Sequence, residues 1–70
     1  MNDHEIMEEV RKLLREKGGK MEMGEMVGLL IYITKDHINV ISRVLGKMKS
    51  AGEVSYDEMV SPVIVSLKNS

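Results

Sequence analysis

The sequence predicts an α+β fold: three helices, a short strand after the first of them, and a C-terminal β-hairpin. Two observations carry that expectation. Apolar residues recur at three- and four-residue spacing as far as Ser50, and from Glu53 onward the spacing changes to two. Glycines mark the breaks, with Gly18-Gly19 after the first periodic segment and Gly52 after the last.

The first helix is expected from Asn2 to Lys17. Ile6, Val10, Leu13 and Leu14 fall on one side, with Met7 beside them. Asn2 or Asp3 can cap its start by accepting a backbone N–H. Acids lie early (Asp3, Glu5, Glu8, Glu9) and bases late (Arg11, Lys12, Arg15, Lys17), which matches the helix dipole. Gly18-Gly19 stops the helix, because glycine adopts left-handed backbone at little cost. Lys20-Met21-Glu22-Met23 alternates polar and apolar, as a very short strand does.

The second helix is expected from about Gly24 to Tyr32. Met26, Val27, Leu29, Leu30 and Ile33 make it too apolar for two distinct faces, so burial on most sides is expected. Thr34 is a suitable N-cap for a third helix starting at Lys35-Asp36 and running to about Ser50. Its core stripe is Ile38, Ile41, Leu45 and Met48, with Val44 alongside. Two β-type runs follow, Glu53–Tyr56 and Val63–Leu67. Pro62 marks the turn or the entry to the last strand, since it cannot donate to a sheet ladder. Lys68-Asn69-Ser70 reads as a polar, frayed end.

Composition limits what such a chain can do. Seventy residues make one domain, 1–70, and a domain of this size buries only about 60% of its unfolded surface. With no cysteine, neither disulfides nor thiolate metal sites are available. Apolar residues at 43% and charged residues at 30% argue for a packed core. Seven methionines make that core adaptable in shape. A net charge of -1 is not the strongly basic balance of a stand-alone nucleic-acid binder. No apolar run reaches membrane-spanning length, and Met1–Glu5 lacks the basic start of a signal peptide. No membrane association and a cytosolic or nuclear location are therefore expected.

Chemistry-bearing motifs are few. His4 and His37 stand in no metal-ligand spacing, and no serine has a base partner in a recognisable motif. Gly18-Gly19-Lys20 lacks the spaced glycine and the Ser/Thr of a phosphate loop. Met21, Met23 and Met26 could hold a soft metal ion, but core packing of Met26, with Met21 or Met23 beneath the hairpin, accounts for them. The expectation is a binding protein without catalysis, cofactor or metal.

The layout helix, strand, helix, helix, hairpin resembles a winged helix-turn-helix, the hairpin being the wing. Ile41-Ser42-Arg43-Val44-Leu45, Met48 and Gly52-Glu53-Val54 are similar to the third helix and first wing strand of winged-helix DNA-binding regulators. That resemblance implies a third helix in the major groove of double-stranded DNA. The contact would run through Lys35, Asn39, Ser42, Arg43, Lys47 and Lys49. Arginine pairs with guanine, asparagine with adenine, and lysine with phosphate. Gly46 in mid-helix suggests either close approach by a partner or tight contact with the wing. The Z-form nucleic-acid-binding domains are also similar here. They place Asn and Tyr where this chain has Ser42 and Gly46, and their wing ends in a Trp absent from Ser61-Pro62-Val63-Ile64.

A second resemblance spans roughly Gly19 to Leu67. Gly19-Lys20-Met21, Tyr32-Ile33 through Val40, and Gly52-Glu53-Val54-Ser55-Tyr56-Asp57-Glu58-Met59 are similar in order and spacing to the costars domain. That winged-helix-like fold occurs in an actin-binding, Rho-signalling activator and its small relatives. Val60-Ser61-Pro62 replaces the family's longer wing. The resemblance implies protein recognition, actin included. A regulator of transcription is thus the first expectation and a protein-interaction module the alternative. Homodimerisation through the first or second helix is compatible with both.

Overall fold

The computed structural model describes residues 1–68; Asn69 and Ser70, expected as part of a frayed end, lie outside the described residues. The elements follow in the order α1 (Asp3–Glu16), β1 (Lys20–Glu22), α2 (Met23–Thr34), α3 (Ile38–Ser50), β2 (Val54–Asp57) and β3 (Ile64–Leu67). The chain is α+β, with three helices packed against one small antiparallel sheet.

Each helix boundary has a local cause. Asn2 accepts the Glu5 N–H at 2.8 Å, and Glu5 accepts the Asn2 N–H at 3.0 Å, a reciprocal cap that satisfies two otherwise unpaired donors. At the other end Gly19, with φ +100, donates to the Leu14 carbonyl at 2.7 Å and closes α1. The same glycine's carbonyl accepts from Leu67 N–H at 2.8 Å, which ties the end of α1 to β3.

The junction between α2 and α3 differs from the sequence expectation. Thr34 does not cap a helix beginning at Lys35-Asp36; it is the last residue of α2, and its hydroxyl accepts the Asp36 N–H at 3.1 Å. Lys35 adopts left-handed backbone, φ 63, and its N–H returns to the Ile31 carbonyl. Helix α3 begins three residues later, where His37 Nδ1 accepts the Asn39 N–H at 3.1 Å. A hydroxyl accepting an N–H two residues on serves a helix start and a tight turn equally well, so the cap was assigned one turn early.

The sheet has strand order β1-β3-β2, with both pairings antiparallel. Met21 lies opposite Val65 on one side of β3, and Tyr56 lies opposite Val65 on the other. The expected third strand therefore forms, and it joins the second arm of the hairpin. The arms are one residue shorter at the start than expected, beginning at Val54 and Ile64. The Ser61-Pro62 peptide in the connecting turn is cis.

One core joins all six elements. Ile6, Val10 and Leu14 of α1, Met26 and Leu30 of α2, and Ile41, Val44 and Leu45 of α3 meet Met21, Val54 and Val65 of the sheet. Met21 and Met26 are core side chains, and Met23 packs half-buried against them. Ile38, expected in the core stripe, is half exposed at the first residue of α3.

Helix α2 is covered over much of its circumference but keeps one open face. Met26, Leu30 and Thr34 are buried and Met23, Val27, Leu29 and Ile31 are half-buried against the core, whereas Gly24, Glu25, Gly28 and Tyr32 are exposed. Two layers of secondary structure cover only one side of a helix, so an apolar helix at the periphery keeps an uncovered outer face.

Candidate functional site

Helix α3 turns Ile41, Val44, Leu45 and Met48 inward, leaving Asn39, Ser42, Arg43, Lys47 and Lys49 exposed. Of the six residues expected to touch nucleic acid, these five lie on one helix face and its margins. Lys35 stands apart, one residue past the end of α2.

The positive charges of this face have partners within the chain. Asp3, in the first turn of α1, takes both Arg43 and Lys47: Oδ1 accepts from Arg43 Nη2 at 2.8 Å and Oδ2 from Lys47 Nζ at 2.6 Å. The Lys47 hydrogen bond, and then that of Arg43, holds the Asp3 carboxyl below its ordinary value. Lys49 places its ammonium 4.6 Å from the centre of the Tyr56 ring, and Lys35 does the same over Tyr32. Burial, with the Glu58 charge added, pushes the Tyr56 hydroxyl up.

No sequence pattern joins residue 3 to residues 43 and 47. From sequence Asp3 is legible as a helix-dipole residue and a cap candidate, and its role as a shared counter-ion follows from the packing of α1 on α3.

Gly46 does not owe its place to the wing. A Cβ there would meet no atom within 4 Å. Tight internal contact is thereby excluded, and open space over α3 remains. Alanine at this position is expected to stabilise the fold by about 0.5–1 kcal/mol through helix propensity alone. Urea unfolding of Gly46→Ala checks this; a lower midpoint than the parent's would contradict it.

The C-terminal hairpin has a different character. Its turn exposes Asp57, Glu58, Met59 and Val60 together, with Met59 94% and Val60 45% exposed. Asp57 Oδ1 accepts the Met59 N–H at 3.1 Å, a local turn that aims Met59 outward. Beside it an open groove of about 570 Å³ runs between β1 and the hairpin turn. Val60, Ile64 and Met21 form its apolar lining, and Glu22, Glu25, Lys17 and Lys20 border it.

A further ion pair anchors the root of the hairpin. Arg11 Nε and Nη2 both donate to the Glu53 carboxylate, the latter at 3.0 Å, while Nη1 reaches Glu8 at 2.6 Å. The Arg11 hydrogen bond holds the Glu53 carboxyl below its ordinary value. Among the described residues no helix is long and apolar enough to cross a membrane. No protein-family profile, curated protein or solved structure matches the chain.

Proposed function

We propose that this chain is a small winged-helix module that recognises a protein partner through its wing turn. The observation that carries this reading is the distribution of charge. Arg43 and Lys47 share the carboxylate of Asp3 and Lys49 lies over the Tyr56 ring, whereas the hairpin turn offers two carboxylates around an exposed methionine. A wing that grips DNA touches phosphate, and Asp57 and Glu58 would repel it. An exposed, pliable Met59 next to Val60 suits an apolar contact with a partner of positive charge.

The winged-helix reading is supported by the element order and by the β1-β3-β2 sheet, in which the C-terminal hairpin would be the wing. The resemblance of Gly52–Met59 to the costars domain supports protein recognition and makes actin the first partner to try. An intracellular setting belongs to this reading.

Duplex DNA remains a second reading, favoured by one observation: the outer side of α3, with Asn39, Ser42 and the open space over Gly46, is polar and unobstructed. One experiment separates the two. Amide shifts of labelled protein are followed during titration with duplex DNA at two salt concentrations, with actin, and with a basic amphipathic peptide. The expected result is movement confined to Asp57–Ile64 with actin or the peptide. Met59→Ser should weaken that binding about tenfold, the equivalent of one buried side chain. Salt-sensitive DNA shifts along Asn39–Lys49, with a silent wing, would overturn the proposal in favour of the second reading.

A further inference from the structure

Helix α2 carries one charged residue, Glu25, in twelve, and among the described residues no element covers its outer face. Glu25, Gly28, Tyr32 and Lys35 follow one another at spacings of three, four and three. Glu25, Gly28 and Tyr32 form a single seam at helical pitch, the spacing with which two helices pack side by side. Lys35, left-handed one residue past the helix, joins its end by returning its ammonium to the Tyr32 ring. All four residues are exposed. Tyr32 is 73% exposed, and the Lys35 ammonium 4.6 Å away is the cation on its ring. Gly28 puts no side chain into the seam and so leaves a notch between Glu25 and Tyr32, and the space above it is open, as it is above Gly24 one turn earlier.

The order of the seam is negative, small, large, positive, and that order is self-complementary about its midpoint. We propose that α2 pairs with α2 of a second copy of this chain, antiparallel about a two-fold axis near residue 30. Glu25 then meets the second copy's Lys35, and Tyr32 fills the notch over the second copy's Gly28. Because the axis is two-fold, each contact occurs twice. A parallel pairing would set Glu25 on Glu25 and Lys35 on Lys35 and leave both notches empty, so charge selects the antiparallel arrangement.

The present partner of Glu25 is loose. Glu25 lies 4.0 Å from Lys17, both largely exposed, so exchanging that pair for an intermolecular one costs little. Two twelve-residue helices bury less than the roughly 1,200 Å² of a standard stable complex, so the dimer is expected to be weak and is sought between about 10 μM and 1 mM.

Sedimentation equilibrium across that concentration range tests the pairing, with urea unfolding as the check that each variant stays folded. The apparent mass should rise from 7.9 kDa toward twice that value. Glu25→Lys alone, or Lys35→Glu alone, sets like charges together twice and should weaken association at least tenfold. The double variant, Glu25→Lys with Lys35→Glu, should restore it to within about threefold of the parent. Tyr32→Ala should weaken it as well. A chain that stays at 7.9 kDa up to about 1 mM overturns the proposal. So does a dimer indifferent to the single reversals, or one that the double reversal fails to restore. Wing binding is read separately by Met59→Ser, and its outcome does not move this one.

Discussion

Replacing Leu45 with alanine is expected to cost about 3 kcal/mol and to bring the chain close to its unfolding threshold. Leu45 is 1% exposed, on the helix that packs against α1, α2 and β2 at once. Truncating a buried leucine removes its transfer free energy and leaves a cavity, together about 2–5 kcal/mol. The lower half of that range applies here. Met26 and Met48 belong to the same core cluster, and unbranched thioether side chains can move into a void that branched ones would leave empty. Against this stands a total stability of about 3–10 kcal/mol for a domain this small. At a urea dependence of roughly 1 kcal/mol per molar, the midpoint should fall by about 3 M. A shift below about 0.5 M would mean that α3 is not held by this core. Met48→Leu, which keeps volume, should cost less than about 1.5 kcal/mol and serves as the control.

The elements governed by local chemistry were the legible ones. Asn2, the acid-to-base order of α1 and Gly18-Gly19 act within a turn of the chain, and α1 formed from Asp3 to Glu16 as that chemistry requires. The change of period after Gly52 announced the hairpin, and the alternation at Lys20–Glu22 announced the third strand. The α2–α3 turn was misplaced because Lys35 takes a left-handed backbone that non-glycine residues seldom adopt. Nothing about a lysine signals it. The outer face of α2 was misread because apolar content says how much surface wants cover, while the number of packed layers decides how much receives it. The basic stripe of α3 was visible as residues, but its counter-ions were not. Asp3 is forty residues from Arg43, and Tyr56 stands on the wing beside Lys49. The exposed Met59 was counted among seven methionines whose default is the core.

Removing the Arg11 guanidinium is the second large effect, and it carries a pH signature. Arg11 is the strut between the middle of α1 and the root of β2, donating twice to Glu53. Both side chains keep part of their water, 21% and 30% of their surface. Charge-assisted hydrogen bonds of about 1.5–3 kcal/mol are therefore discounted to about 1–2 kcal/mol for Arg11→Met at pH 7. The Glu53 carboxyl is held below its ordinary value of 4.5, chiefly by the Arg11 hydrogen bond. A carboxyl lowered by folding stabilises the folded state above its unfolded value, and that contribution is lost as pH falls through the lowered one. Asp3, lowered by Lys47 and Arg43, acts with the same sign. The parent should therefore lose stability steadily as pH drops below about 4.5. Arg11→Met, whose Glu53 has no guanidinium to lose, should lose less over the same interval, since Asp3 still titrates in both proteins. The gap between the two proteins should then narrow from about 1–2 kcal/mol at pH 7 toward zero once Glu53 is protonated in both. Urea unfolding at a series of pH values measures that gap directly. A gap independent of pH would show that Arg11 holds the wing through the packing of its aliphatic stem on α1, with its charge incidental.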